Sequence, residues 1–159
     1  MWRVAIVTIS DKGSKGERKD ESGPLLAQLA KEIRGDIVST LIIPDDFNQI
    51  EESLISLADH SKCDLILTTG GTGLAERDIT PEATKTVIER EVPGIPEAMR
   101  MVAFPRTNFS ILSRAVAGIR GKTLIINFPG STKAVKECFS IIKPILPHSL
   151  DLLRGKTKH

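Results

Sequence analysis

Three glycines in four positions, Gly70, Gly71 and Gly73, follow directly on an apolar run in the segment Thr68-Thr69-Gly70-Gly71-Thr72-Gly73. Without Cβ atoms the backbone can approach an anion closely there and turn its N–H groups toward it. The hydroxyls of Thr69 and Thr72 would add donors. Five residues further on, Asp78 precedes Thr80-Pro81, which reads as a helix start with Thr80 as the cap. A carboxylate in that place either favours the positive helix end or, beside a phosphate loop, helps hold a hard cation such as Mg2+ whose shell substrate phosphates complete. A second acid pair, Asp45-Asp46, follows another apolar run. One of the two can cap the helix expected from Phe47, which leaves the other free. Two carboxylates from separate loops near a glycine turn fit metal-assisted chemistry at a phosphate.

Other chemistries find no support. No GxGxxG follows the first apolar run and no GxxxxGK[ST] occurs, so a nucleotide would be held by another device. No GxSxG elbow is present, and His60, His148 and His159 share no metal-ligand spacing. Cys63 and Cys138 form no CxxC pair and read as partly buried thiols in a cytoplasmic setting. The 22 basic and 20 acidic residues give +2, far from a basic nucleic-acid footprint. With no Tyr, one Trp and five Phe, the chain has few aromatics to stack against single-stranded bases. Apolar runs reach about four residues, against the ~20 a membrane-spanning helix needs. The opening MWRVAIVTIS reads as a strand, not a signal peptide.

The elements that must position these residues can be read from the pattern. Strands are expected over Val4 to Ile9, Ile37 to Ile43, Asp64 to Thr69 and Lys122 to Phe128, each apolar on both faces. Helices are expected from Ser22-Gly23-Pro24 to about Ile33, over Phe47 to Ser61, from Thr80 to about Glu91, from near Pro96 to about Phe104, and over Thr132 to Lys143. A short helix and a basic tail end the chain. The polar stretch from Asp11 to Gly23 reads as a long mobile loop, in which Lys12, Lys15, Arg18 and Lys19 could steer an anion. Residues 105–118 show neither period and fit a short helix, a strand, or one of each. Alternating strands and helices over 1–159 predict one α/β domain, a three-layer α/β/α sandwich with a mostly parallel sheet. Ligands of such sheets bind at the carboxyl ends of the strands. That rule selects Ser10-Asp11, Pro44-Asp45-Asp46, Thr69 to Gly73 and Pro129-Gly130-Ser131, with Arg77, Arg114 and Lys133 as nearby cations.

Six segments in this order resemble the MogA/MoaB family of molybdenum-cofactor biosynthesis proteins. They are Val7-Thr8-Ile9-Ser10-Asp11, Ile43-Pro44-Asp45, Thr69-Gly70-Gly71-Thr72-Gly73, Arg77-Asp78-Ile79-Thr80-Pro81-Glu82-Ala83-Thr84, Ser113-Arg114-Ala115-Val116-Ala117-Gly118 and Asn127-Phe128-Pro129-Gly130-Ser131-Thr132-Lys133-Ala134. The resemblance runs from about Arg3 to Lys143. It implies a molybdopterin adenylyltransferase that moves AMP from ATP to the terminal phosphate of molybdopterin, releases pyrophosphate and uses Mg2+. The family's essential aspartates match Asp45 and Asp78, the expected Mg2+ ligands. Its substrate and nucleotide segments match Ser10, Asp11, Thr69 to Gly73, Thr80, Pro81, Ser113, Arg114, Pro129, Gly130 and Ser131. A homotrimer or hexamer, a cytoplasmic location and a molybdenum-insertion protein as partner are implied too, with no nucleic acid and no membrane. The wording of SRAVAG and PGSTKA is nearer the MoaB-like branch, some of whose members have lost the second aspartate and act as non-catalytic molybdopterin-binding or carrier proteins. Asp78 is present here.

Overall fold

The structure, a computed structural model, describes residues 1–156, so His159 and the end of the basic tail lie outside the described residues. In chain order it runs through β1 (Trp2–Ile9), α1 (Asp11–Ser14), α2 (Ser22–Lys31), β2 (Gly35–Ile43), α3 (Phe47–Asp59), β3 (Leu65–Thr69), α4 (Thr80–Val87) and β4 (Arg90–Glu91). It continues with α5 (Gly94–Ala103), a 3-10 turn (Asn108–Leu112), β5 (Ala117–Arg120), β6 (Thr123–Phe128), α6 (Thr132–Ile142) and α7 (Leu146–Leu153). The six strands form one sheet in the order β2-β1-β3-β6-β5-β4. The first four are parallel; β5 and β4 add an antiparallel edge.

Side chains alternate across a strand, so each apolar strand feeds two cores. Val4 pairs with Leu65 and Leu65 with Leu124; Ile6, Leu67 and Ile126 form the same kind of row two residues on. These rows pack under α2, α5, α6 and α7 with Leu26, Met99, Phe139 and Leu146. Ala5, Val7, Ile66 and Ile125 face the other way, against Ile50 and Leu54 of α3 and Ala83 and Val87 of α4. Helices on both faces of a mostly parallel sheet make the expected three-layer sandwich.

Three local expectations are corrected. The Asp11–Gly23 stretch contains a turn of helix, α1, capped by Ser10 Oγ, which accepts from Gly13 N at 2.9 Å. Ser22 does not cap α2; Asp20 does that work, its Oδ1 accepting from Gly23 N at 3.0 Å. Helix α4 begins at Thr80, with Ile79 rather than Thr80 at the cap position, and ends at Val87 because Ile88 is extended (φ −75°, ψ 142°) and leads into β4. The undecided segment 105–118 resolves into the 3-10 turn and β5.

The sheet is fastened at its opposite end by Asp64. Its carboxylate accepts from Arg3 N at 2.7 Å and from Arg154 Nε and Nη2 at 2.9 and 2.6 Å. The Arg154 guanidinium also lies 4.3 Å from the Trp2 ring centre. Burial by itself pushes the Asp64 carboxyl up, but the Arg154 hydrogen bonds, the Arg3 N–H and the two guanidinium charges outweigh it and hold the group below its ordinary 3.8. A depressed carboxyl contributes stability that is complete above its unfolded-chain pKa and fades as pH falls through the folded value. Asp64→Ala is expected to lower stability by roughly 1.5–3 kcal/mol near pH 7. In thermal melts the Tm gap to wild type should narrow as pH drops from about 5 to about 3. A gap that does not change with pH would assign the loss to packing alone.

Candidate active site

The carboxyl ends of β2, β1, β3 and β6 point the same way because those strands are parallel, and the loops that leave them meet at one edge. The glycine loop is built on left-handed backbone, with φ +99° at Gly70 and +68° at Gly71. A Cβ on Gly70 would run into the carbonyl oxygen of Ile9, and one on Gly71 would overlap Thr80 Oγ1 and lie 3.1 Å from Asp45 Oδ1. Only glycine permits both the dihedrals and the approach. The amides of Gly71, Gly130 and Ser131 donate no hydrogen bond within the described residues. Ser131 Oγ caps α6 by accepting from Ala134 N at 3.2 Å, so the positive end of that helix faces the same space.

Two cavities open here. One, of about 600 Å3, is polar: Ser10, Arg18, Lys19, Asp45, Thr69 and Gly70 stand on its walls. The other, of about 490 Å3, is mostly apolar, with Met99, Ala103, Phe109, Leu112 and Cys138 beside Thr72, Gly73, Ser113 and Pro129. They share one wall, made of Gly71, Asp78, Gly130 and Ser131. Burial pushes the Cys138 thiol up to about 11, so it is an uncharged part of the apolar lining.

The two adjacent acids take different positions. Asp46 caps α3, its Oδ2 accepting from Gln49 N at 2.9 Å, whereas Asp45 reaches the polar cavity. Asp45 is held by a reciprocal pair: Asp11 N donates to Asp45 Oδ2 and Asp45 N donates to Asp11 Oδ1, both at 3.0 Å. Arg77 locks Asp11 from outside through Nε at 2.6 Å and Nη2 at 3.0 Å, and also reaches the Asp45 carbonyl at 3.1 Å. The Arg77 hydrogen bond holds the Asp11 carboxyl below the usual carboxylate value. Burial first, then the like charges of Asp11 and Asp78, push the Asp45 carboxyl up. Asp78 Oδ2 accepts from Ala75 N at 3.2 Å, so the carboxylate braces its own loop instead of capping α4.

Of the residues predicted for the site, Ser10, Asp45, Thr69 to Gly73, Asp78, Ser113, Pro129, Gly130 and Ser131 come together on these walls. Asp11, Thr80, Pro81 and Arg114 do not line either cavity. Thr80 is buried and donates to the Gly70 carbonyl at 3.0 Å, and Pro81 is buried in the first turn of α4. Arg114 is spent on the loop itself, donating to the carbonyls of Gly73 and Asp78 at 2.8 and 2.5 Å and to the Glu82 carboxylate at 2.7 and 2.8 Å. These four stand outside the cavity walls. Thr69 Oγ1 is likewise committed, to the Pro129 carbonyl at 2.7 Å, so only its neighbours can donate to an anion. Sequence reasoning found only the motif side of the apolar cavity and missed its apolar side, because Met99, Ala103, Phe109, Leu112 and Cys138 come from α5, the 3-10 turn and α6 and carry no motif.

The donor set suits a hard cation. Asp45 and Asp78 each have one carboxylate oxygen on a backbone N–H, while the other has no hydrogen-bond partner among the described residues. No cluster of three or more His, Cys, Asp or Glu among the described residues could hold a metal alone. Two carboxylates with an excess of negative charge, and no closed protein cage, fit the Mg2+ mode in which substrate oxygens and water complete the shell.

A family model described as "Probable molybdopterin binding domain" matches residues 5–148. The chain is 43% identical over 157 residues to a Helicobacter pylori J99 protein named molybdopterin adenylyltransferase, covering 96% of this chain and 88% of that one. It is 42% identical over 167 residues to the Escherichia coli K12 protein of the same name, covering 96% and 86%. Its structure matches that of a molybdopterin biosynthesis enzyme, MoaB, from Thermus thermophilus with a TM-score of 0.93, at 46% identity and 98% coverage of both chains. With residues 5–148 matched by the family model and nearly its whole length covered by these proteins, the chain belongs to the MogA/MoaB family of molybdenum-cofactor biosynthesis proteins.

Proposed function

We propose that this chain is a molybdopterin adenylyltransferase, using ATP and Mg2+. The observation that carries the reading is the shared wall: Gly71, Asp78, Gly130 and Ser131 border both cavities, so two ligands can meet there. The polar cavity sets Arg18 and Lys19 beside Asp20, Glu21, Asp45 and Asp78, which suits it to a triphosphate that brings its own cation; the apolar one suits the pterin. A terminal phosphate oxygen of the pterin attacks the α-phosphorus in line, a new P–O bond forms, and the bond to the β-phosphate breaks with its electron pair leaving on pyrophosphate. The attacking phosphate is already ionised near pH 7 and needs no general base.

The work of the chain is then to bring two anions together. The unpaired amides of Gly71, Gly130 and Ser131 and the α6 N-terminus offer fixed positive dipoles, which need no reorganisation during the reaction. Asp45 and Asp78 are the residues that would hold Mg2+. When bound, the ion would screen phosphate charge and act as a Lewis acid at the phosphoryl oxygens. Asp11 and Arg77 act at one remove by fixing Asp45.

Arg77→Ala is therefore expected to lower kcat/KM by about 10-fold, in the range typical of residues that orient a ligating carboxylate. Its Tm should stay within about 2 °C of wild type, since exposed ion pairs contribute only ~0–1 kcal/mol. Steady-state kinetics and a thermal melt check both. An unchanged kcat/KM would remove Arg77 and Asp11 from the site's support.

The reading itself is tested by mixing purified protein with molybdopterin, ATP and Mg2+ and following adenylated pterin and pyrophosphate by chromatography. Product establishes the transferase. Pterin binding without product, in a folded sample, would favour the carrier function instead. A homotrimer or hexamer, cytoplasmic residence and hand-over to a molybdenum-insertion protein belong to the same reading. The exposed apolar side chains of Met101, Val102 and Ile111 support self-association.

A further inference from the structure

Six aromatic side chains occur in the sequence, and five of them take no part in either cavity. Trp2, Phe128 and Phe139 are buried in the core, Phe47 packs at the start of α3, and Phe104 ends α5. The sixth, Phe109, is 75% exposed and stands on the wall of the apolar cavity. A side chain of this kind, left in water in a chain so poor in aromatics, calls for an explanation.

Its setting supplies one. Phe109 sits in the 3-10 turn, none of whose residues is buried. The segment from Phe104 to Ser113 is held by polar ties instead. Ser110 Oγ donates to the Arg100 carbonyl at 2.8 Å, Arg100 Nη1 donates to the Ser113 and Ala115 carbonyls at 3.2 and 3.0 Å, and Arg106 pairs with Glu137 of α6 at 3.2 Å. The last is an exposed tie of the kind that contributes little, and a segment without buried apolar contacts opens at low free energy. Met99, Ala103 and Cys138 give the cavity an apolar lining beside the ring. A flat heterocycle entering there would meet an aromatic face and an apolar surface together, an arrangement that recognises ring shape more than ring substituents.

We propose that Phe109 is the stacking platform for the pterin ring, and that this contact selects a flat bicyclic heterocycle for the apolar cavity. The identity of that heterocycle rests on the transferase reading above; the placement of the platform rests on the cavity alone.

The test is to titrate molybdopterin and ATP separately into wild type, Phe109→Ala, Phe109→Leu and Phe109→Trp, with kcat measured at saturating pterin. Phe109→Ala is expected to weaken molybdopterin binding by about 10-fold or more, leave ATP binding unchanged and keep kcat within about threefold of wild type. Phe109→Trp should recover the affinity, and Phe109→Leu, apolar and of similar bulk but without an aromatic face, should not, which a merely space-filling role would not predict. Equal pterin affinity in all four proteins overturns the proposal. So does a loss confined to ATP, which would put the nucleotide ring in this cavity, and so does a change of oligomeric state in Phe109→Ala seen by sedimentation, which would make the ring an interface residue. If wild type binds pterin but makes no adenylated product, the transferase reading fails while the binding ratio still decides the role of Phe109.

Discussion

Replacing Asp78 by asparagine is expected to lower kcat for adenylyl transfer by about 10²–10³-fold while leaving the fold and the pterin affinity nearly as they are. The asparagine carbonyl can still accept the Ala75 N–H that Asp78 Oδ2 accepts, so the loop keeps its brace. Arg114 holds the Asp78 carbonyl and not its carboxylate, so that tie is also untouched. What disappears is one negative charge on the wall shared by the two cavities, and with it the anionic oxygen available to a cation. Binding of the pterin ring, proposed for the apolar cavity, should change by no more than about threefold. Single-turnover kinetics with both substrates saturating would separate the two effects. Loss of pterin affinity in a folded Asp78→Asn protein would show that the carboxylate serves binding, and the proposed role would be wrong.

The second large effect is expected at Gly70, and it is structural. Gly70→Ala combines two penalties: φ of +99°, which an L side chain rarely adopts, and a Cβ driven into the backbone carbonyl of Ile9. The neighbour is main chain in the middle of a parallel sheet, so it cannot swing aside. A loss of roughly 3 kcal/mol or more is expected, or a Tm lower by roughly 6–12 °C. Gly121→Ala is the control. Gly121 also has positive φ (+57°) but nothing within 4 Å of the added Cβ, so it should lose only about 1 kcal/mol. Equal losses at the two positions would mean that the close approach to β1 contributes nothing. Adenylyl transfer by folded Gly70→Ala should also fall, since the same loop carries Gly71 against Asp45 and Thr80.

Much of this was legible in the sequence, for reasons that differ by residue. Strands apolar on both faces can be buried only in a covered sheet, so Val4 to Val7 and Leu124 to Ile126 announced the layers before any contact was known. The glycine loop was legible because its backbone demand excludes other residue types. The division of labour between Asp45 and Asp46 was not, since both are acids before the same helix and only the direction of the chain decides which one caps. The resemblance assigns Arg114 and Thr80 to substrate binding, and the structure ties both to loop carbonyls; polar side chains in a shared motif look alike in sequence, whether they touch a ligand or the loop behind it. Asp20 displaced Ser22 as the cap of α2 because its carboxylate also accepts from Thr8 Oγ1 at 2.8 Å, a partner on another element. The apolar lining of the second cavity was invisible for the same reason: it comes from separate elements, and residues 105–112 carry neither the strand nor the helix period.

The strand order has a consequence for how the protein comes into being. β6 lies in the interior of the sheet between β3 and β5, yet it is the last strand to be made. Until residues 123–128 exist, the inner row of Leu65, Ile66 and Leu67 has an open edge where Leu124, Ile125 and Ile126 belong. Closing that edge joins segments about 60 positions apart, and such distant pairings are slow to form. Gly130 and Ser131, which complete the shared wall, follow β6 immediately. A growing chain therefore cannot offer a half-built pocket: the shared wall is complete only after residues 123–131 have been synthesised and β6 has found its slot.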